Sequence, residues 1–131
     1  MKKRTAAAFG IFAGLGGATH GPGEMLQGNV APGDIFISAW PALTELNGEP
    51  ALTLIPSYLV AGIATVIVGI IVAWWAAKCL DRPDGGPMLV LLSVALLLVG
   101  GGQIPPLFGI AAGLLWWSTA RKESKRAEAV A

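Results

Sequence analysis

Between Arg4 and Lys78 the chain has neither lysine nor arginine. Over all 131 residues only 13% are charged, against 54% hydrophobic. Soluble domains carry about a quarter charged residues, and a chain this short buries too small a share of itself to hide so much apolar surface from water. A formal net charge of +1 excludes a broad basic face for nucleic acid. The single cysteine, Cys79, excludes an internal disulfide framework and a cysteine-based zinc site. No Asn-x-Ser/Thr sequon occurs. Nucleophile–base arrangements and phosphate-binding loops are absent too, so an enzyme ranks last among the readings, and no cofactor is expected.

What the sequence does have is apolar blocks, and these decide the class: an all-α integral membrane bundle. The clearest runs from Ser57 to Ala77, SYLVAGIATVIVGIIVAWWAA, without a charge. At helical rise it reaches about 31 Å, the thickness of a bilayer's hydrocarbon core. Pro56-Ser57 opens it, and Trp74-Trp75 then Lys78 close it as an interfacial belt with a cationic anchor. Two shorter blocks follow, PMLVLLSVALLLV from Pro87 and LFGIAAGLLWWST from Leu107, separated by Gly100-Gly101-Gly102 and Pro105-Pro106. They read as two crossings joined by a tight outer turn, with a re-entrant hairpin as the alternative. The first block, TAAAFGIFAGLGGAT after Lys2-Lys3-Arg4, reads as a retained helix; a cleaved signal peptide ending near Ala18 is the alternative. The expected spans are residues 5–20, 57–78, 87–102 and 105–120. An outer loop occupies 21–56 and a tail 121–131, all within one membrane domain.

Four crossings from an inner N-terminus put every cation on one side. Lys2, Lys3 and Arg4 precede the first span, Lys78 and Arg82 fall in the inner loop, and Arg121, Lys122, Lys125 and Arg126 fall in the tail. The outer loop carries only acids, Glu24, Asp34, Glu45 and Glu49. This is a clean positive-inside pattern, with both termini cytoplasmic in a cell (inner) membrane. Trp74-Trp75 and Trp116-Trp117 land at the same interface. In this topology Cys79 should meet thiol reagents from the cytoplasmic side, and a cysteine placed at Thr44 should meet them from outside. The tail cations serve as a topology anchor, with attraction to anionic lipid as the sharper alternative.

Small residues mark the packing faces. Ala61, Thr65, Gly69, Ala73 and Ala77 recur every four residues, and Gly10-x-x-x-Gly14 and Gly109-x-x-x-Gly113 offer matching surfaces. In lipid, close backbone approach must drive association. The stripes therefore support a compact bundle, a homo-oligomer or a membrane-protein partner. The expected spans hold no Asp, Glu, Lys or Arg apart from the terminal Lys78. Apart from His20 at the edge of the first, they hold no ionisable interior group of the kind that ion-coupled carriers use.

One polar constellation remains: His20, Glu24, Gln27 and Asn29 in HGPGEMLQGN. Glycines and Pro22 should distort the helix there, and broken helices at membrane depth expose backbone groups to ions or substrates. His20 and Glu24, four residues apart, are weak candidates for a metal or a proton-responsive pair. The plainer reading is a hydrogen-bonded helix end. Further on, Asp34 after Pro32-Gly33 should cap a short helix whose Ile35, Phe36 and Trp40 lie in the outer interface.

The stretches HGPGEMLQGNVAPG, ALTLIPSYLVAGI and LLLVGGGQIPPLFGI together resemble a group of small, uncharacterised multipass membrane proteins of prokaryotes. The resemblance implies a membrane fold with a retained first helix and carries over no catalytic residue. The leading functional expectation is a non-enzymatic scaffold or accessory subunit. An oligomeric minimal channel or transporter, with an outer mouth near His20–Glu24, is the alternative.

Overall fold

Proline and glycine punctuate the chain, and most helix boundaries of the computed structural model fall at those marks. The structure describes residues 1–38 and 50–131. Helix α1 (Lys3–Ala18) is followed after Thr19 alone by α2 (His20–Met25). Thr19 is itself helical, φ −64° and ψ −18°, and its amide donates to Leu15. Pro22 falls in the first turn of α2, where its missing N–H is least needed. The helix therefore resumes through the segment expected to open the outer loop, and the reversal comes later, at Gly28 with φ 82°.

Helix α3 (Tyr58–Lys78) starts at Ser57, whose Oγ accepts from Val60 N at 3.4 Å. Helix α4 (Gly85–Val99) stops at Gly100, φ 127°, and Gly102 is at φ 72°. Helix α5 (Ile104–Val130) starts on Pro105-Pro106 and carries the polar tail onward as helix. Among the described residues α3 alone is long and apolar enough to cross a membrane; α4 is a shorter apolar helix.

The short helix expected after Asp34 is a strand instead. Asp34 Oδ1 accepts from Ile35 N at 2.6 Å, and β1 (Phe36–Ser38) then pairs antiparallel with β2 (Pro50–Leu52), Ile37 opposite Ala51. Aromatic and β-branched residues suit that pleated surface, and a partner strand overrides the local capping signal. Beyond β2, Thr53 bridges Val99 and Leu54 N donates to Leu98 O at 3.0 Å, which fastens the extended segment to the end of α4. Trp40, Pro41, Thr44, Glu45 and Glu49 lie outside the described residues.

The helices alternate in direction. Gly10 lies against Ala76, Gly14 against Gly69 and Ala73, and Gly21 against Gly62 and Val66, so α1 and α2 run antiparallel along α3. Gly113 meets Gly86 and Val90, and Gly109 meets Ser93 and Ala13, which sets α5 against α4 and α1. Gly10, Gly14, Ala61, Thr65, Gly69, Ala73, Gly109 and Gly113 are all buried. Ala77 is exposed and Ala76 takes the inward place. Residues four apart drift about 40° round a 3.6-residue helix, so a strict every-four stripe leaves the seam within a few turns.

The cations gather at one end. Lys3 pairs with Asp81, and Arg82 pairs with Asp84 at 3.2 Å. Trp75 Nε1 donates to Gly85 O at 3.0 Å and Trp116 Nε1 to Leu80 O at 2.8 Å, closing the α3–α4 connection. Arg82 lies over Trp75, and Arg121 over Trp117 at 4.8 Å. The end of the bundle without basic residues holds the candidate site.

Candidate functional site: a buried carboxyl at the end of α4

Gly21 lets α2 close on α3, since any side chain there would overlap Val66 and the Gly62 carbonyl. That approach drives Glu24 between α3 and the end of α4, where it is 0% exposed. Its Oε2 lies 3.3 Å from Thr65 Oγ1. The Thr65 hydroxyl lies 3.0 Å from the carbonyl oxygen of Val99. The other carboxyl oxygen, Oε1, is buried with no hydrogen-bond partner. Gly100 faces the carboxyl group so closely that a Cβ would overlap its oxygens. Glycine is required there twice over, for that space and for φ 127°.

The four polar residues expected to form a site separate into two roles. Gln27 Nε2 donates to Gly23 O at 3.3 Å and to Ser38 O at 3.0 Å, tying α2 to β1. Asn29 Oδ1 accepts from Ser57 Oγ at 2.8 Å, tying the loop to the start of α3. These two fasten the loop. His20 is 8% exposed, one turn before Glu24, with Nδ1 3.3 Å from Gly16 O. Glu24 turns into the seam between three elements.

Among the described residues no group of three His, Cys, Asp or Glu side chains stands ready for a metal, so His20 and Glu24 lack a third ligand of those types. The oxygens that do converge come from Thr65 and the Val99 backbone. Sequence reasoning marks Thr65 as a packing residue and Gly100 as a turn residue. The available signal is that Thr65 is the one hydroxyl in a stripe otherwise made of alanine and glycine.

A buried hydroxyl elsewhere, Ser93 Oγ on α4, lacks a hydrogen-bond partner and packs against Gly109. At the Glu24 end, an open groove of about 370 Å³ runs along Pro32–Ile35 and Thr53–Pro56. Thr53, in its wall, bridges to Val99. No protein-family model, curated protein or solved structure matches the chain. The functional reading therefore rests on this chemistry.

Proposed function

We propose that the chain is a small, non-enzymatic multipass membrane protein, a minimal transporter whose four helical rods each cross the bilayer. α1 with α2, then α3, α4 and the first half of α5 make the crossings, and the cation-rich end faces the cytoplasm. The distribution of side-chain size supports membrane residence. Glycine, alanine, threonine and serine line much of the interior seams beside Val72, Leu80, Leu89 and Leu96, while Phe12, Leu15, Ile67, Trp74, Leu91 and Leu107 point outward. Water-soluble folds bury their large apolar side chains; a lipid-facing surface favours the reverse.

The single observation that carries transport over scaffolding is Glu24. The sequence argument against ion-coupled carriage is that the spans lack ionisable groups. With α2 helical and packed on α3, an acid stands inside the bundle after all. Ionisable groups at such depth are expensive and serve solute or ion pathways. A pure scaffold gains nothing from one, because a fully apolar seam packs as well.

The experiment is flux in liposomes holding the purified protein, monitored for protons and for small ions. Flux above that of empty liposomes, reduced at least tenfold by Glu24→Gln, is the expected result. No flux for any tested ion, with a partner protein co-purifying in stoichiometric amount, would return the scaffold or accessory-subunit reading.

A further inference from the structure

We propose that Glu24, Thr65 and the carbonyl of Val99 form a seat for one small monovalent cation, a proton or a sodium ion. The proposal deepens the transport reading and rests on it for what the cation does, though not for whether it binds.

The argument is an inventory of hydrogens. A threonine hydroxyl has one hydrogen to give. Two oxygens stand within reach of Thr65 Oγ1, the Val99 carbonyl at 3.0 Å and Glu24 Oε2 at 3.3 Å. One hydrogen can serve only one of them at a time. The other is left without it, and Oε1 has no partner at all. Three oxygens converge with one hydrogen too few. A proton on the carboxyl supplies it, because Glu24 then donates to Thr65, which donates to Val99. A sodium ion satisfies the same deficit by drawing on the carboxylate, hydroxyl and carbonyl oxygens, the hard donors such an ion takes.

The surroundings supply no positive charge of their own. The site lies at the C-terminal end of α4, the negative end of the helix dipole, where a cation is favoured. On α2 the titratable neighbour is His20, engaged at Nδ1 with Gly16 O. α3 contributes Tyr58 near its start, packed against Ile37 and Ala51. Residues 85–103, on α4 and the turn after it, bring no titratable group, and neither do 50–55. Asp34, before β1, adds negative charge. Lys78, Arg82 and Arg121 belong to the opposite end. Gly100, without a side chain, leaves one face of the carboxyl covered only by backbone. The missing charge has to arrive from solution.

The test is infrared difference spectroscopy of the protein in liposomes, in two arms. One arm steps the pH in choline buffer; the other replaces choline with sodium at fixed pH. The expected result is a carboxylic C=O band that bleaches as protons are withdrawn and is missing in Glu24→Gln. Bleaching by sodium at fixed pH identifies sodium as a second occupant; bleaching by pH alone identifies the proton. Thr65→Val keeps the carboxyl and removes its hydroxyl partner, so the band persists and the midpoint of its titration shifts by about threefold to tenfold in proton concentration. No moving band in either arm, or one whose midpoint ignores Thr65→Val, overturns the proposal. Titration without flux keeps the seat and removes transport; flux with no titrating carboxyl keeps transport and removes the seat.

Discussion

At the scale of single residues, the end of α4 is where small changes matter most. Gly100 holds a positive φ and lies against the Glu24 oxygens, so Gly100→Ala incurs both backbone strain and overlap. The strain alone is worth about 1–3 kcal/mol. Unfolding in detergent should show at least that loss. Adding Glu24→Ala should recover the overlap and leave the strain; strictly additive losses would mean that the two residues do not touch. Thr65 and Ser93 make a second contrast. Thr65→Val leaves the Val99 carbonyl and a buried carboxyl oxygen short of a partner, at a cost of about 1–3 kcal/mol, and Thr65→Ser should restore most of it. Ser93 Oγ already lacks a partner, so Ser93→Ala should be neutral or slightly stabilising. Equal losses from Thr65→Val and Ser93→Ala would remove the hydrogen-bond account of Thr65. Little of this was legible in the sequence. Glu24 stood out as an acid after an apolar run, but its partners are a hydroxyl 41 residues away and a backbone carbonyl. Neither carries a motif.

At the scale of elements, the helices were legible because proline, serine and glycine mark their ends and the apolar runs fill them. The packing faces were legible too, as glycines and alanines at four-residue spacing. Their limit was helical drift, which exchanges Ala76 for Ala77 at the far end of α3. α2 was hidden by Pro22, a breaker in a helix interior that is tolerated in a first turn, where it stands here. β1 was misjudged because Asp34 gives a capping signal while the pairing that decides the matter comes from Pro50–Leu52, a dozen residues on. The close approach of α1 to α3 gives this scale its prediction. A Cβ on Gly14 would run into Gly69 O and the backbone of Ala73, whereas Gly33 has open space around it. Gly14→Ala should therefore destabilise by about 1–3 kcal/mol, as overpacking of a tight interface does. Gly33→Ala should stay within about 0.5 kcal/mol of the parent. Thermal unfolding of the two variants side by side in one detergent checks the contrast, and equal behaviour would mean that the α1–α3 seam is looser than drawn.

At the scale of the whole molecule, the proposed orientation makes a sharp demand on chemistry at the two ends. Cys79 looks from the sequence like a ready probe of the inner loop. It lies buried at 7% exposure beside Leu80 and the tryptophans that close the α3–α4 connection, so burial rather than topology governs its reactivity. It should label slowly from either side of an intact membrane and quickly once the protein is denatured. Engineered cysteines then have to report the orientation, in a Cys79→Ala background. Ser124 projects on the exposed second half of α5, and Gly33 is exposed beside the groove at the opposite end. With an odd number of crossings between them, Ser124→Cys should react with a membrane-impermeant maleimide only in inside-out vesicles, and Gly33→Cys only in intact cells. Both sites reacting from one side would contradict three crossings between them, and with them the four-crossing bundle. A re-entrant α4–α5 hairpin would leave one crossing between the two sites and give the same labelling as three. That hairpin would still bring Val99 to Thr65, since the contacts between α3 and α4 are the same in both paths. The labelling pattern therefore decides which face each end of the bundle occupies, and the infrared titration decides the site separately.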